Sequence, residues 1–192
     1  MEPFDPSSSK ADQKAMQDDP DSDLLERFVR GDRDAFESLF NAFEGDVYRW
    51  IARIVRDASA SEDVLVEAFW RAYRGRARFD SSRSFGAWMR RIATNAALDH
   101  LREARSRAGW SEFDDEIAAL DSPDRGVTEA VAIALRRLPP KLQVVATLAI
   151  IEEQPHEEIA DALDLPVGTV KSRLFRATRA LRVELARLGI RP

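Results

Sequence analysis

Between Leu165 and the last residue stand seven bases, Lys171, Arg173, Arg176, Arg179, Arg182, Arg187 and Arg191, with one acid, Glu184, among them. Side chains of this kind neutralise phosphates, and an arginine can also give two parallel hydrogen bonds to a guanine edge. The bland alternative is a helical corner with a solvated basic face. Solvated helices usually mix their signs, however, and this stretch does not. A second set of bases, Arg74, Arg76, Arg78, Arg83, Arg90, Arg91, Arg102, Arg105 and Arg107, surrounds Phe79, Phe85 and Trp88. That mixture suits opened nucleic acid, whose bases stack on aromatic rings while guanidinium groups hold the backbone. Aromatic residues at helical spacing also build cores, so Trp88 fits a core position as well as a base platform.

Other chemistries lack their residues. The chain has no cysteine, which excludes disulfides, zinc fingers, iron–sulfur sites and a thiol switch of its own. His100 and His156 stand far apart without a ligand pattern and are read as structural or exposed. No Gly-rich phosphate loop, nucleophile–base pair or metal set is present, so the expectation is a protein that is not an enzyme and takes no cofactor. No stretch is apolar and long enough for membrane insertion, and the first residues lack the pattern of a signal peptide, which points to the cytoplasm.

The elements that must position these side chains read as helices throughout. Gly is scarce and alternating strand-like runs are missing, so the fold class is all-α: two small helical domains joined by an acidic linker. Residues 1–22 are polar and acidic and are expected to form a disordered tail. Domain one, 23–107, begins with a short helix to Gly31, with Asp23 and Glu26 at capping-box spacing. A core helix follows from Arg33 to about Arg56, carrying Phe36, Leu39, Phe40, Phe43, Val47, Trp50, Ile51 and Ile54. Ser61 is expected to cap a third helix ending near Gly75, and Ser84 to start a fourth through Phe85, Trp88, Met89 and Ile92. Residues 108–126 form the linker. Domain two, 127–192, opens with a helix from Val127 to Leu138, is broken at Pro139-Pro140, and continues to Gln154-Pro155.

It closes on His156 to Arg179, where a short acidic-starting helix, a corner at 163–168 and a longer helix make a helix-turn-helix. Val170, Leu174, Ala177, Leu181, Leu185 and Leu188 recur on the packing face of the second helix. Arg173 and Arg176, three apart, are expected to share the opposite face. The net charge of −5 is spread unevenly: acid collects in the tail and linker, base in 71–107 and the last helix.

The runs S-E-D-V-L-V-E-A-F, F-G-A-W-M-R-R-I-A-T-N-A-A-L-D-H-L-R, and L-P-P followed by E-E-I-A-D-A-L and G-T-V-K-S-R-L-F-R-A occur in this order. On these motifs the chain resembles an extracytoplasmic-function (ECF) sigma factor of the sigma-70 family, over about Asp23 to Arg187. The resemblance implies promoter-specific transcription initiation with core RNA polymerase and promoter DNA as partners, and an anti-sigma factor as regulator. It implies that the loop Arg78 to Ser84, with Phe79 and Arg83, captures an unstacked base of the −10 element, and that Phe85, Trp88, Arg91 and Asn95 face the same DNA. It places Thr169, Lys171, Ser172, Arg173 and Arg176 on the −35 element. Asp63 and Glu67 match acids that grip the polymerase clamp, and Val66 stands where the family usually has Gln. The acidic linker resembles the segment threaded through the RNA path. A free helix-turn-helix regulator working without polymerase would explain Thr169 to Arg179 but leave the first domain's Arg and aromatic surface idle. A pure interaction protein that has lost promoter opening is the third possibility, suggested by Val66.

Overall fold

The computed structural model describes residues 20–80, 83–107 and 126–190. The expected tail (1–22) lies almost wholly outside these residues, and so does the expected linker (108–126). The described residues are helical: α1 (Ser22–Arg30), α2 (Arg33–Val55), α3 (Ala58–Gly75), a 3₁₀ turn (Arg76–Arg78), α4 (Phe85–Arg107), α5 (Val127–Arg137), α6 (Pro140–Ala146), a π turn (Thr147–Ile151), α7 (His156–Leu163) and α8 (Val167–Arg187). They group into two compact units divided within α4, between Ala97 and Leu98.

In the first unit the corner between α1 and α2 is set by two residues. Gly31 takes a φ of 90°, and its N–H caps carbonyls of Arg27 and Phe28. The backbone there suits glycine and strains any other residue, and a Cβ would come within 2.9 Å of the Arg76 guanidinium, which would have to move. Asp32 then caps α2, accepting from the N–H groups of Asp34 (2.9 Å) and Ala35 (3.1 Å) and from Arg27 Nε (2.9 Å). The bond from Arg27, followed by that from Ala35, holds the Asp32 carboxyl below its ordinary range, and the same contact raises Arg27.

Two expected caps moved. Asp21, rather than Asp23, accepts at the start of α1, from Asp23 N. Asp57, rather than Ser61, caps α3 by accepting from Ala60 N at 2.8 Å; Ser61 sits a turn inside and donates its hydroxyl back to the Asp57 carbonyl at 2.6 Å. The earlier aspartate reaches the orphan N–H groups first, so the helix starts a turn sooner.

Phe28, Leu39, Phe43, Val47, Ile51, Ile54, Phe69, Phe85 and Met89 fill the core of this unit. Each fully buried Phe or Leu contributes about 1.5–3 kcal/mol of apolar burial. A polar crossing of this core is matched: Trp50 Nε1 on α2 donates to Thr94 Oγ1 on α4 at 2.9 Å, and the Thr94 hydroxyl donates to the Arg90 carbonyl at 2.7 Å. This fixes the register of α4 on α2.

In the second unit Ala134, Leu135 and Leu138 pack with Ala146, Ala177 and Leu181, the alanines letting α5 and α8 approach closely. Within this core Glu184 is fully buried and accepts from Arg137 Nη1 at 3.1 Å and from Arg187 at 3.0 Å. At the far end of α6 the helix expected to run on to Gln154 loosens instead. Glu152 N–H reaches the Thr147 carbonyl five residues back, and Glu153 turns the chain with a φ of 51°.

Candidate nucleic-acid interface

The helix-turn-helix is built as its sequence requires. Ile159, Ala160, Ala162 and Leu163 bury the inner face of α7, Asp164 makes the left-handed corner, and Leu165 N–H returns to the Ala160 carbonyl at 2.9 Å. Pro166 precedes α8, whose first turn has no side-chain cap, and Lys171 follows one turn into the helix. Val170, Ala177 and Leu181 point inward.

Because Glu184 is buried, every charged side chain that α8 presents to solvent is a base. Lys171, Ser172, Arg176, Arg179 and Arg182 are exposed, and Thr169 is half-buried. The Ser172 hydroxyl donates to the Thr169 carbonyl, and Arg176 Nε lies 3.4 Å from the Ser172 carbonyl.

Arg173 is the exception to the expected geometry. It is half-buried rather than opposite the packing stripe, because four residues on lies buried Ala177, about 40° away around the helix. Desolvation pulls its pKa below the ordinary value, and the charges of Arg176 and then Arg102 add to the effect. Arginine stays protonated regardless, so the consequence is a cation whose charge an anion would relieve. Arg179, one of the bases noted in the sequence, stands on the outward pole instead, and so does Phe175, which the sequence did not single out and which has 72% of its surface exposed.

In the first unit the residues assigned to −10 DNA divide into two groups. Phe79 and Phe85 are buried, with ring centroids 5.6 Å apart. Their rings belong to the core and are not open to stack on a base. Trp88 is half-buried, its ring 4.9 Å from Phe79 and 5.8 Å from Phe85, so the two phenylalanines support it from beneath. Arg78, Arg83 and Asn95 are exposed and Arg91 is half-buried; Arg83 lies 3.5 Å from Asp80. Residues 81 and 82 of the expected base-capturing loop are outside the described residues.

On α3, Asp63 is exposed and Val66 has 64% of its surface open. Glu67 is half-buried and held by Arg71 at 2.7 Å and Arg74 at 3.5 Å. Trp70, one turn after Val66, is also exposed and stacks on Tyr73 with ring planes 18° apart. The helix thus shows an apolar step beside the two acids, and the i, i+4 spacing of Val66 and Trp70 is its signal in the sequence.

No helix among the described residues is long and apolar enough to cross a membrane. One helical unit that ends in a basic helix-turn-helix and another that carries arginines around an aromatic cluster define a DNA-binding protein of the transcription machinery. The model for sigma-70 region 2 matches residues 39–107, and that for sigma-70 region 4 matches residues 128–181. The chain is 36% identical over 177 residues to the RNA polymerase sigma-H factor of Pseudomonas aeruginosa, covering 84% of this chain and 91% of that protein. To the ECF RNA polymerase sigma factor SigW of Bacillus subtilis it is 31% identical over 176 residues, covering 84% and 94%. Among solved structures, CnrH in complex with the cytosolic domain of CnrY matches with a TM-score of 0.54 at 24% identity, over 86% of this chain and 97% of that one. The chain belongs to the sigma-70 family, as an ECF sigma factor that directs RNA polymerase to promoters. It is a transcription factor and not an enzyme.

Proposed function

We propose a division of labour along the chain: 23–107 opens the −10 element and holds core polymerase, 108–126 is an acidic linker, and 127–192 reads the −35 element. The observation that carries this is the face of α8, basic at every exposed charge because its one acid is turned inward. A duplex groove is the partner such a face fits.

In this division Thr169, Lys171, Ser172, Arg173 and Arg176 approach the −35 duplex. Lys171, one turn into α8, serves a phosphate, and the arginines serve guanine edges. On the first unit Trp88 is the base platform, with Arg78, Arg83, Arg91 and Asn95 around it, while Phe79 and Phe85 hold Trp88 in place from the core. Asp63, Val66 and Glu67 meet the polymerase clamp. The mechanism is differential binding: unstacked −10 bases gain a platform that paired bases cannot reach, and this favours the melted promoter.

The chain works in the cytoplasm, and an anti-sigma factor covers it when transcription is not wanted. CnrH, the similar solved protein, is captured with the cytosolic domain of CnrY. The decisive experiment adds the purified chain to sigma-free core polymerase and maps transcript starts on a library of promoters. A defined start at a shared −35 and −10 pair is expected; no start above that of core polymerase alone would overturn the proposal.

A further inference from the structure

The two acids on the outer face of α3 stand in different surroundings. Asp63 is exposed and makes no ion pair among the described residues. Glu67, one turn on, is half-buried, and its Oε1 accepts from Arg71 Nε at 2.7 Å and lies 3.5 Å from Arg74 Nη2. The two cations differ in place. At about 100° per helical residue, Arg71 lies about 40° from Glu67 on the side of buried Val64, whereas Arg74 lies about 20° the other way, between Glu67 and Trp70 on the exposed side. The Arg74 guanidinium also lies over the Trp70 ring, 5.7 Å from its centroid. An exposed ion pair or an exposed cation–π contact is weak by itself. Here one side chain makes both, and both fall on the face that carries Asp63.

We propose that Arg74 is an internal competitor of core polymerase: a cation of this chain that holds Glu67 and lies on Trp70 until the clamp displaces it. This rests on the assignment of α3 to the clamp. A surface that meets Asp63 and Glu67 must bring a cation to them, because an acid would be repelled. At Asp63 that cation meets an open carboxylate. At Glu67 it meets a carboxylate flanked by two guanidinium groups, and the outer of these, Arg74, stands in its path. Arg71 is the inner one, and its i, i+4 bond persists with a partner in place. Trp70 gives a second reason for Arg74 to move. About half of its surface is open, and a Trp of this kind anchors a partner only once its ring is uncovered. The consequence is an affinity for core polymerase set below the one the acids and the ring give without Arg74. Were Arg74 instead a contact to an acid of the partner, its removal would act with the opposite sign.

The test titrates the full chain, labelled at its N-terminus, with sigma-free core polymerase. Arg74→Ala should bind about three- to tenfold more tightly than wild type, the worth of an exposed ion pair and a cation–π contact released together. Arg74→Gln, which keeps a long side chain and removes the charge, should show most of the gain, and Arg74→Lys, which keeps the charge, little of it. The gain should shrink as salt rises, since the contacts removed are exposed. In a Glu67→Gln background the same Arg74→Ala change should gain much less, because the acid it released is already gone. That dependence on Glu67 and on salt separates competition from a change in helix stability, which thermal melting of each variant follows directly. Equal or weaker binding by both Arg74→Ala and Arg74→Gln would overturn the proposal, as would a gain undiminished in the Glu67→Gln background. Unchanged core affinity in both Asp63→Ala and Glu67→Gln would overturn the assignment of α3 to the clamp as well, so the two failures are distinguishable.

Discussion

Arg56 caps the end of α2 in the left-handed region, with φ 59° and its N–H on the Ala52 carbonyl. A side chain there strains the backbone where glycine would not, so Arg56→Gly should stabilise the first unit by up to about 1 kcal/mol. A rise in its denaturant midpoint checks this. The buried pair behaves oppositely. Glu184→Ala leaves Arg137 charged and enclosed, which costs about 3–5 kcal/mol, whereas Arg137→Met with Glu184→Leu should restore most of the loss. Urea titration of the two variants decides it, and equal loss in both would mean that the cavity, not the stranded charge, is responsible. These residues also mark how far single positions were legible. The sequence shows Glu184 as the odd acid of a basic helix, but only its distance from Arg137, 47 positions earlier, shows that it faces inward. Arg173 was misplaced for a related reason. Counting three from Arg176 puts the two near one another, yet the count does not say which of them borders the packing stripe.

At the scale of elements, helix order, the breaks at Gly31 and Pro139-Pro140 and the helix-turn-helix were all legible, because glycine, proline and a 3.6-residue apolar period act locally. Cap positions and the π turn after α6 were not. A nearby Asp57 outcompetes Ser61 only once the chain geometry is known, and no residue type announces a bond to the fifth residue back. The aromatic face of α4 combined both problems: the periodicity of Phe85 and Trp88 was visible, but three-dimensional packing was needed to bury the first and expose part of the second. Trp88→Ala should accordingly lower open-complex formation while leaving initial docking in place, and a promoter with a pre-opened −10 bubble should recover part of the deficit. Permanganate footprinting of unpaired thymines reports this, and loss of the folded unit's melting transition would instead assign Trp88 to the core. The α1–α2 corner gives a pH test. The folded carboxyl of Asp32 titrates below its unfolded value, so its contribution is present above the unfolded pKa and is lost as pH falls through the lowered folded pKa. Asp32→Ala should lower the melting temperature at neutral pH, and the gap to wild type should close on acidification. A gap that is constant with pH would remove the carboxylate from the account.

For the whole molecule the question is how an acidic chain binds DNA, and the answer lies in where its charges face. The net charge is −5, yet α8 shows only bases to solvent, so the local field and not the total governs encounter with phosphate. Two residues on that helix separate the contributions. Lys171 is a compact exposed charge near the start of α8, suited to a phosphate that every sequence offers. Arg176 is exposed too, and its planar guanidinium can pair with two acceptors on one guanine. Lys171→Ala in the holoenzyme should therefore weaken all −35 sequences alike and flatten the plot of log affinity against log salt by about 0.9, the share of one released counterion. Arg176→Ala should cost roughly 1–3 kcal/mol on the preferred sequence and relax selection at one base pair. Binding titrations over −35 duplexes varied one pair at a time, at several salt concentrations, measure both. Should Arg176→Ala lower affinity uniformly and leave base preference intact, Arg176 joins Lys171 among the phosphate contacts, and recognition of guanine by this helix falls to Arg173, whose desolvated charge then becomes the next to replace.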